Sequence, residues 1–74
     1  MAMSDTLKAI SDPVRRQILN LLKDAPKPAG EIAAQFDLTP ATVSYHLKLL
    51  KQAQLITERR EKNYPGLFTS VLGT

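Results

Sequence analysis

Seventy-four residues amount to one small domain, which buries only about 60% of the surface its unfolded chain exposes. There is no cysteine, so disulfides and thiolate metal sites are excluded, and ten Lys/Arg against seven Asp/Glu leave a net charge of +3. No run approaches the ~20 apolar residues of a membrane span, and the N-terminus lacks the basic and apolar blocks of a signal peptide, so a cytoplasmic location is expected.

Ser4 or Asp5 can cap a first short helix that carries Leu7 and Ile10 inward. Asp12-Pro13 is a cap residue followed by the residue best suited to a first helical turn, and it opens a second helix to about Lys23. Val14, Ile18, Leu21 and Leu22 fall at i, i+4, i+7 and i+8 and define its core face. The segment "DAPKPAG" ends that helix, because the residue before each proline is pushed out of the helical region. A third helix is expected from Ala29 to Phe36, with Ile32, Ala33 and Phe36 facing in.

Asp37 tolerates the left-handed backbone that a tight turn between helices requires. Thr39-Pro40 then repeats the cap-plus-proline signal, and a fourth helix runs to about Gln52 or Gln54. Val43, Leu47 and Leu50 form its apolar stripe, while Thr42, Ser44, Tyr45 and Lys48 lie opposite. Two short helices joined by so brief a turn, about residues 29–52, match a helix-turn-helix. Nothing in a fold requires three hydroxyl side chains clustered on an exposed turn and a half. Thr42, Ser44 and Tyr45 are therefore candidate contacts to bases or phosphates, and Thr39 adds a helix N-terminus that suits a phosphate.

"LITERREKNY" follows, with Leu55 and Ile56 as anchors and Thr57 to Arg60 extended. Glu58 and Arg60 fall on one side of this strand, Thr57 and Arg59 on the other. A turn at Glu61–Asn63 is expected, because Asn63 accepts positive φ, which gives a wing at about residues 55–69. Tyr64-Pro65-Gly66-Leu67 is the competing turn, but L-Pro-Gly favours turns whose twist splays a two-residue hairpin. Pro65 cannot donate to a ladder, so the returning strand should be irregular, with Pro65 at an edge or bulge.

Charge sharpens this picture. Residues 1–39 are neutral overall, whereas residues 40–62 carry Lys48, Lys51, Arg59, Arg60 and Lys62 against Glu58 and Glu61. An acidic partner such as nucleic acid suits that placement. Arg59, Arg60 and Lys62 are candidate phosphate contacts, although the side that Arg59 or Arg60 faces stays open. Arg15 and Arg16 are expected on the surface of the second helix, with a phosphate contact as a secondary role.

"LKAISDPVRRQILNLLK", "AGEIAAQF" and "TPATVSYHLKLLKQAQLITERRE" together resemble the ArsR-type winged-helix repressors, most of all the metal-independent SdpR-like autorepressor group. The resemblance spans about Leu7 to Tyr64. It implies a mainly α fold of four helices with a small β-hairpin. It also implies a homodimeric bacterial-type regulator that places the Thr39–Gln52 helix in the DNA major groove. Metal-sensing members carry a cysteine-rich motif before that helix; "PAGEIAAQF" has no thiol or imidazole, so no metal or other cofactor is expected there. Members normally continue into a C-terminal dimerisation helix, which is absent from a chain that stops at "TSVLGT". A truncated or altered chain and a different mode of pairing both stay open. His46 has two readings, a partly buried hydrogen-bonded imidazole or, by the resemblance, a DNA contact.

No glycine-rich phosphate loop, nucleophile–His–acid set or spaced carboxylate pair is present, so an enzyme is not expected. The expected function is sequence-specific binding of double-stranded DNA by a transcriptional repressor. The rival is a winged-helix interaction module for an acidic protein. Met3, Leu7, Ile10, Leu67, Phe68, Val71 and Leu72 are few for an interface of ~1,200–2,000 Å². A monomer or weak homodimer that pairs on a palindromic operator is expected.

Overall fold

Residue choice at the helix ends sets the architecture. The computed structural model describes residues 2–71. In chain order it contains α1 (Ala2–Ile10), α2 (Pro13–Asp24), α3 (Ala29–Phe36), α4 (Pro40–Gln52), β1 (Ile56–Glu61) and β2 (Tyr64–Ser70). Asp12 caps α2 by accepting from the Val14 N–H at 2.7 Å and the Arg15 N–H at 3.3 Å. Ala25, ahead of Pro26, is extended and stops α2.

Helices α3 and α4 end in the same way. Asp37 (φ 54) and Gln54 (φ 62) take left-handed backbone and let the chain turn back on the helix end. The Leu38 N–H then reaches the Ala33 carbonyl at 2.9 Å, and the Leu55 N–H reaches that of Leu50 at 3.0 Å. These closures fix the angle of α3 to α4 and the point where the hairpin departs.

Ile18, Leu22, Ile32, Val43 and Leu50 are fully buried at the centre, and Ile56 and Phe68 bring the hairpin into the same cluster. Val14, Leu21, Ala33, Phe36, Leu38 and Leu55 pack around it, half-buried. The first helix departs from expectation: Leu7 is 60% exposed, and the small Ala9 takes the inward position. Leu19 and Leu49 are buried as well, outside the predicted stripes.

The hairpin pairs antiparallel, with Glu58 opposite Phe68 and Arg59 opposite Leu67, but the register shifts before the Glu61–Tyr64 pair. One β1 residue, Arg60, therefore faces two on β2, Pro65 and Gly66. This is a bulge that absorbs the proline. Lys62 and Asn63 form the turn. Asn63 does not use positive φ, since among the described residues only Asp37 and Gln54 do. Lys27 adds a one-residue third strand, exchanging backbone hydrogen bonds of 3.1 and 2.9 Å with Phe68.

Candidate nucleic-acid interface

Half of α4 is turned away from the core. Thr42, Ser44, Tyr45, Lys48 and Lys51 are all exposed there, Tyr45 by 54%. Thr39 Oγ1 accepts from the Thr42 N–H at 3.2 Å and donates to Thr42 Oγ1 at 2.9 Å. Because Thr42 Oγ1 is an acceptor in that bond, its own proton remains available to point outward. Ser44, Lys48 and Lys51 line the rim of a cleft of about 270 Å³ between α4, the start of α3 and β2, with Leu47 and Phe68 beneath.

The wing carries Arg59, Arg60 and Lys62 exposed. Alternation places Ile56, Glu58, Phe68 and Ser70 toward the helices and Thr57 and Arg59 on the other side. Glu58 meets Lys51 of α4 at 2.8 Å. That hydrogen bond holds its carboxyl below the ordinary range; partial burial opposes the shift, and the Lys51 and Arg60 charges reinforce it.

Arg15 corrects the sequence expectation outright. Only 6% exposed, it reaches back from α2 to the end of α1. Its Nε donates to the Ala9 carbonyl at 2.7 Å and its Nη2 to that of Lys8 at 2.9 Å. Its Nη1 lies 3.1 Å from His46 Nδ1 on α4 and 4.0 Å from Asp12 Oδ2. Arg16 stays exposed but donates to the Ile10 carbonyl at 2.6 Å. The last carbonyls of α1, at the negative end of its dipole, are thus met by cations. Burial works to raise the Asp12 carboxyl, yet the Val14 and Arg15 N–H groups and the Arg15 charge hold it below the usual range.

This contact shows in His46 the partly buried, hydrogen-bonded imidazole of its first reading. The ring is 8% exposed, and a guanidinium can only donate, so Nδ1 accepts and the ring proton sits on Nε2. His46 ties α4 to α2, and its ring makes a tilted contact with that of Tyr45, 5.8 Å between centroids. Among the described residues no cluster of His, Cys, Asp or Glu could hold a metal ion, and no helix is long and apolar enough to cross a membrane.

A helix-turn-helix with a polar, cationic outer face and a basic hairpin beside it defines a winged helix-turn-helix regulator. Residues 10–59 match the family described as "Helix-turn-helix domain". The chain is 46% identical over 72 residues to the transcriptional repressor SdpR of Bacillus subtilis (strain 168), covering 95% of this chain and 80% of that protein. It is 36% identical to the arsenical resistance operon repressor of Staphylococcus xylosus, covering 82% of this chain and 59% of that one. Among solved structures, the homodimeric winged helix-turn-helix DNA-binding domain of Mb0332 from Mycobacterium bovis superposes with a TM-score of 0.86 at 28% identity, covering 93% of this chain and 63% of that one. The chain belongs to the ArsR-type winged helix-turn-helix transcriptional repressors.

Proposed function

We propose that this regulator reads a specific duplex site with Thr42, Ser44 and Tyr45 in the major groove and grips phosphate with Thr39, Lys48, Arg59, Arg60 and Lys62. The observation that carries this reading is the exposure of all eight side chains on α4, its cap and the adjoining wing. Hydroxyls and a phenol can serve base edges, whereas the cations supply sequence-independent affinity. His46 acts from behind, holding α4 in place. Repression follows from occupying promoter DNA, without a cofactor or a catalytic step.

Two copies on a palindromic operator would place two α4 helices ~34–36 Å apart. The exposed Leu7 and Val71 are available for pairing, whereas Phe68 is committed to the chain's own core. The side chain of Met3 and all of Leu72 lie outside the described residues. We therefore propose a weak dimer, completed on DNA.

Selection of duplexes from a random pool, followed by titration against salt, tests the reading. Sequence enrichment and a log–log slope of about −3 to −4 per protomer are expected from four phosphate-gripping cations. A slope near zero, or no enrichment, would rule it out.

A further inference from the structure

Glu58 is an anion of the wing whose placement the DNA-binding reading does not use. An anion beside a DNA-facing surface costs affinity, yet this one is held in place by Lys51, with the Arg60 charge near and open space at Gly66. Lys51 of the outer face of α4 meets it at 2.8 Å, Arg60 lies near enough to depress its titration, and Gly66 lies beneath it. A Cβ on Gly66 would fall 3.2 Å from both Cγ and Cδ of Glu58, and closer still to Oε2. No glycine among the described residues has positive φ, so backbone conformation does not demand glycine at 66. A Cβ there would instead push aside the flexible end of the Glu58 side chain. The Pro65-Gly66 bulge, which breaks the strand pattern, thus opens the space in which this carboxylate sits.

We propose that Glu58 is a specificity-determining residue: it holds Lys51 back from the phosphate backbone and ties the wing to the recognition helix. The proposal rests on the DNA-binding reading. Lys51 shares the rim of the α4 cleft with Ser44 and Lys48, so a released Lys51 reaches the same phosphates. A lysine on phosphate strengthens every sequence alike and dilutes discrimination. Lys51 and Glu58 are 45% and 19% exposed, and pairs of that exposure are worth a few-fold at most, so the restraint is weak and reversible.

Glu58→Gln removes the charge and keeps the shape. Affinity for random duplex should rise about two- to fivefold, the preference for the selected site should fall, and the salt slope should steepen by about 0.9. Gly66→Ala retains every charge but displaces the carboxylate, and it should shift slope and preference in the same direction. The double variant Glu58→Gln/Lys51→Met should return to the wild-type slope. Thermal melting confirms that each variant is folded. An unchanged slope in folded Glu58→Gln and Gly66→Ala overturns the proposal. So does a double variant as steep as Glu58→Gln, which would show that losing an anion was enough. If the wild type itself lacks salt-dependent duplex binding, the DNA reading falls first and this inference with it.

Discussion

Two charge clusters flank α4, and they differ in almost everything except composition. Behind the helix, Arg15 is buried among Asp12, His46 and the end of α1; in front, Lys51, Glu58 and Arg60 meet between helix and wing in partial contact with water. Each joins α4 to another element through Coulombic and hydrogen-bonding contacts. Burial sets their worth. A buried guanidinium that loses its partners costs several kcal/mol, whereas an exposed pair contributes about 0–1 kcal/mol. The rear cluster is therefore architecture, and the front one can be adjusted without unfolding the protein.

The contrast breaks most sharply at Arg15. Arg15→Ala strands the Ala9 carbonyl and a buried ring nitrogen, leaves the Lys8 carbonyl to Ser11 alone, and should cost about 3 kcal/mol by urea denaturation. That is a large share of the roughly 4–11 kcal/mol available to a domain of this length. Arg15→Lys keeps the charge but cannot form the same fork of directed bonds, so it should recover less than half of the loss.

Between the clusters lies the face assigned to bases. Tyr45→Ala and Thr42→Ala should weaken the selected site by ~1–3 kcal/mol, and random duplex much less. Their stability should stay within about 0.5 kcal/mol of wild type, because neither side chain is buried. Equal losses on both kinds of DNA would assign Tyr45 to the backbone. Arg60→Ala and Lys62→Ala should act on the other axis, weakening both duplexes alike and flattening the salt slope by about 1 each.

Acid produces the smallest effect, and it reaches both clusters. Asp12 and Glu58 both titrate below the ordinary carboxylate range in the folded chain. A depressed acid stabilises above its unfolded value, and that contribution fades as pH falls through the folded value. Stability should therefore be flat with respect to these two groups from pH 7 to about 5 and decline below about 4. Glu58→Gln should remove part of the decline and Asp12→Asn another part.

What the sequence revealed about this arrangement follows the range of the forces involved. Asp12-Pro13, Thr39-Pro40 and Asp37 act within a turn of chain, and the helices begin and end where those residues require. The outward set Thr42, Ser44, Tyr45 and Lys48 was equally legible, since helical periodicity fixes a face without tertiary information. Arg15 was not. A charged residue next to Val14 reads as surface, and only packing against α1 and against His46, 31 positions away, buries it. Ala9 was missed for the opposite reason: the larger Leu7 invited the core assignment, but the small Ala9 is the residue buried in the core cluster. The hairpin closed by shifting register at Pro65-Gly66, and that irregularity was legible because a proline cannot donate to the ladder.

The arginines at the end of α1 also bear on when that helix forms. A nine-residue helix is too short to persist alone in water, and the carbonyls of Ala9 and Ile10 at its end are met by Arg15 and Arg16 of α2. The N-terminal segment, although synthesised first, therefore has to wait for chain that follows it. In native-state hydrogen exchange its amides should open well below the global unfolding free energy, while those around Ile18, Val43 and Leu50 exchange only with complete unfolding. A segment that docks last can also undock first, so exchange of the α1 amides well below the global unfolding free energy would show α1 leaving before the core opens.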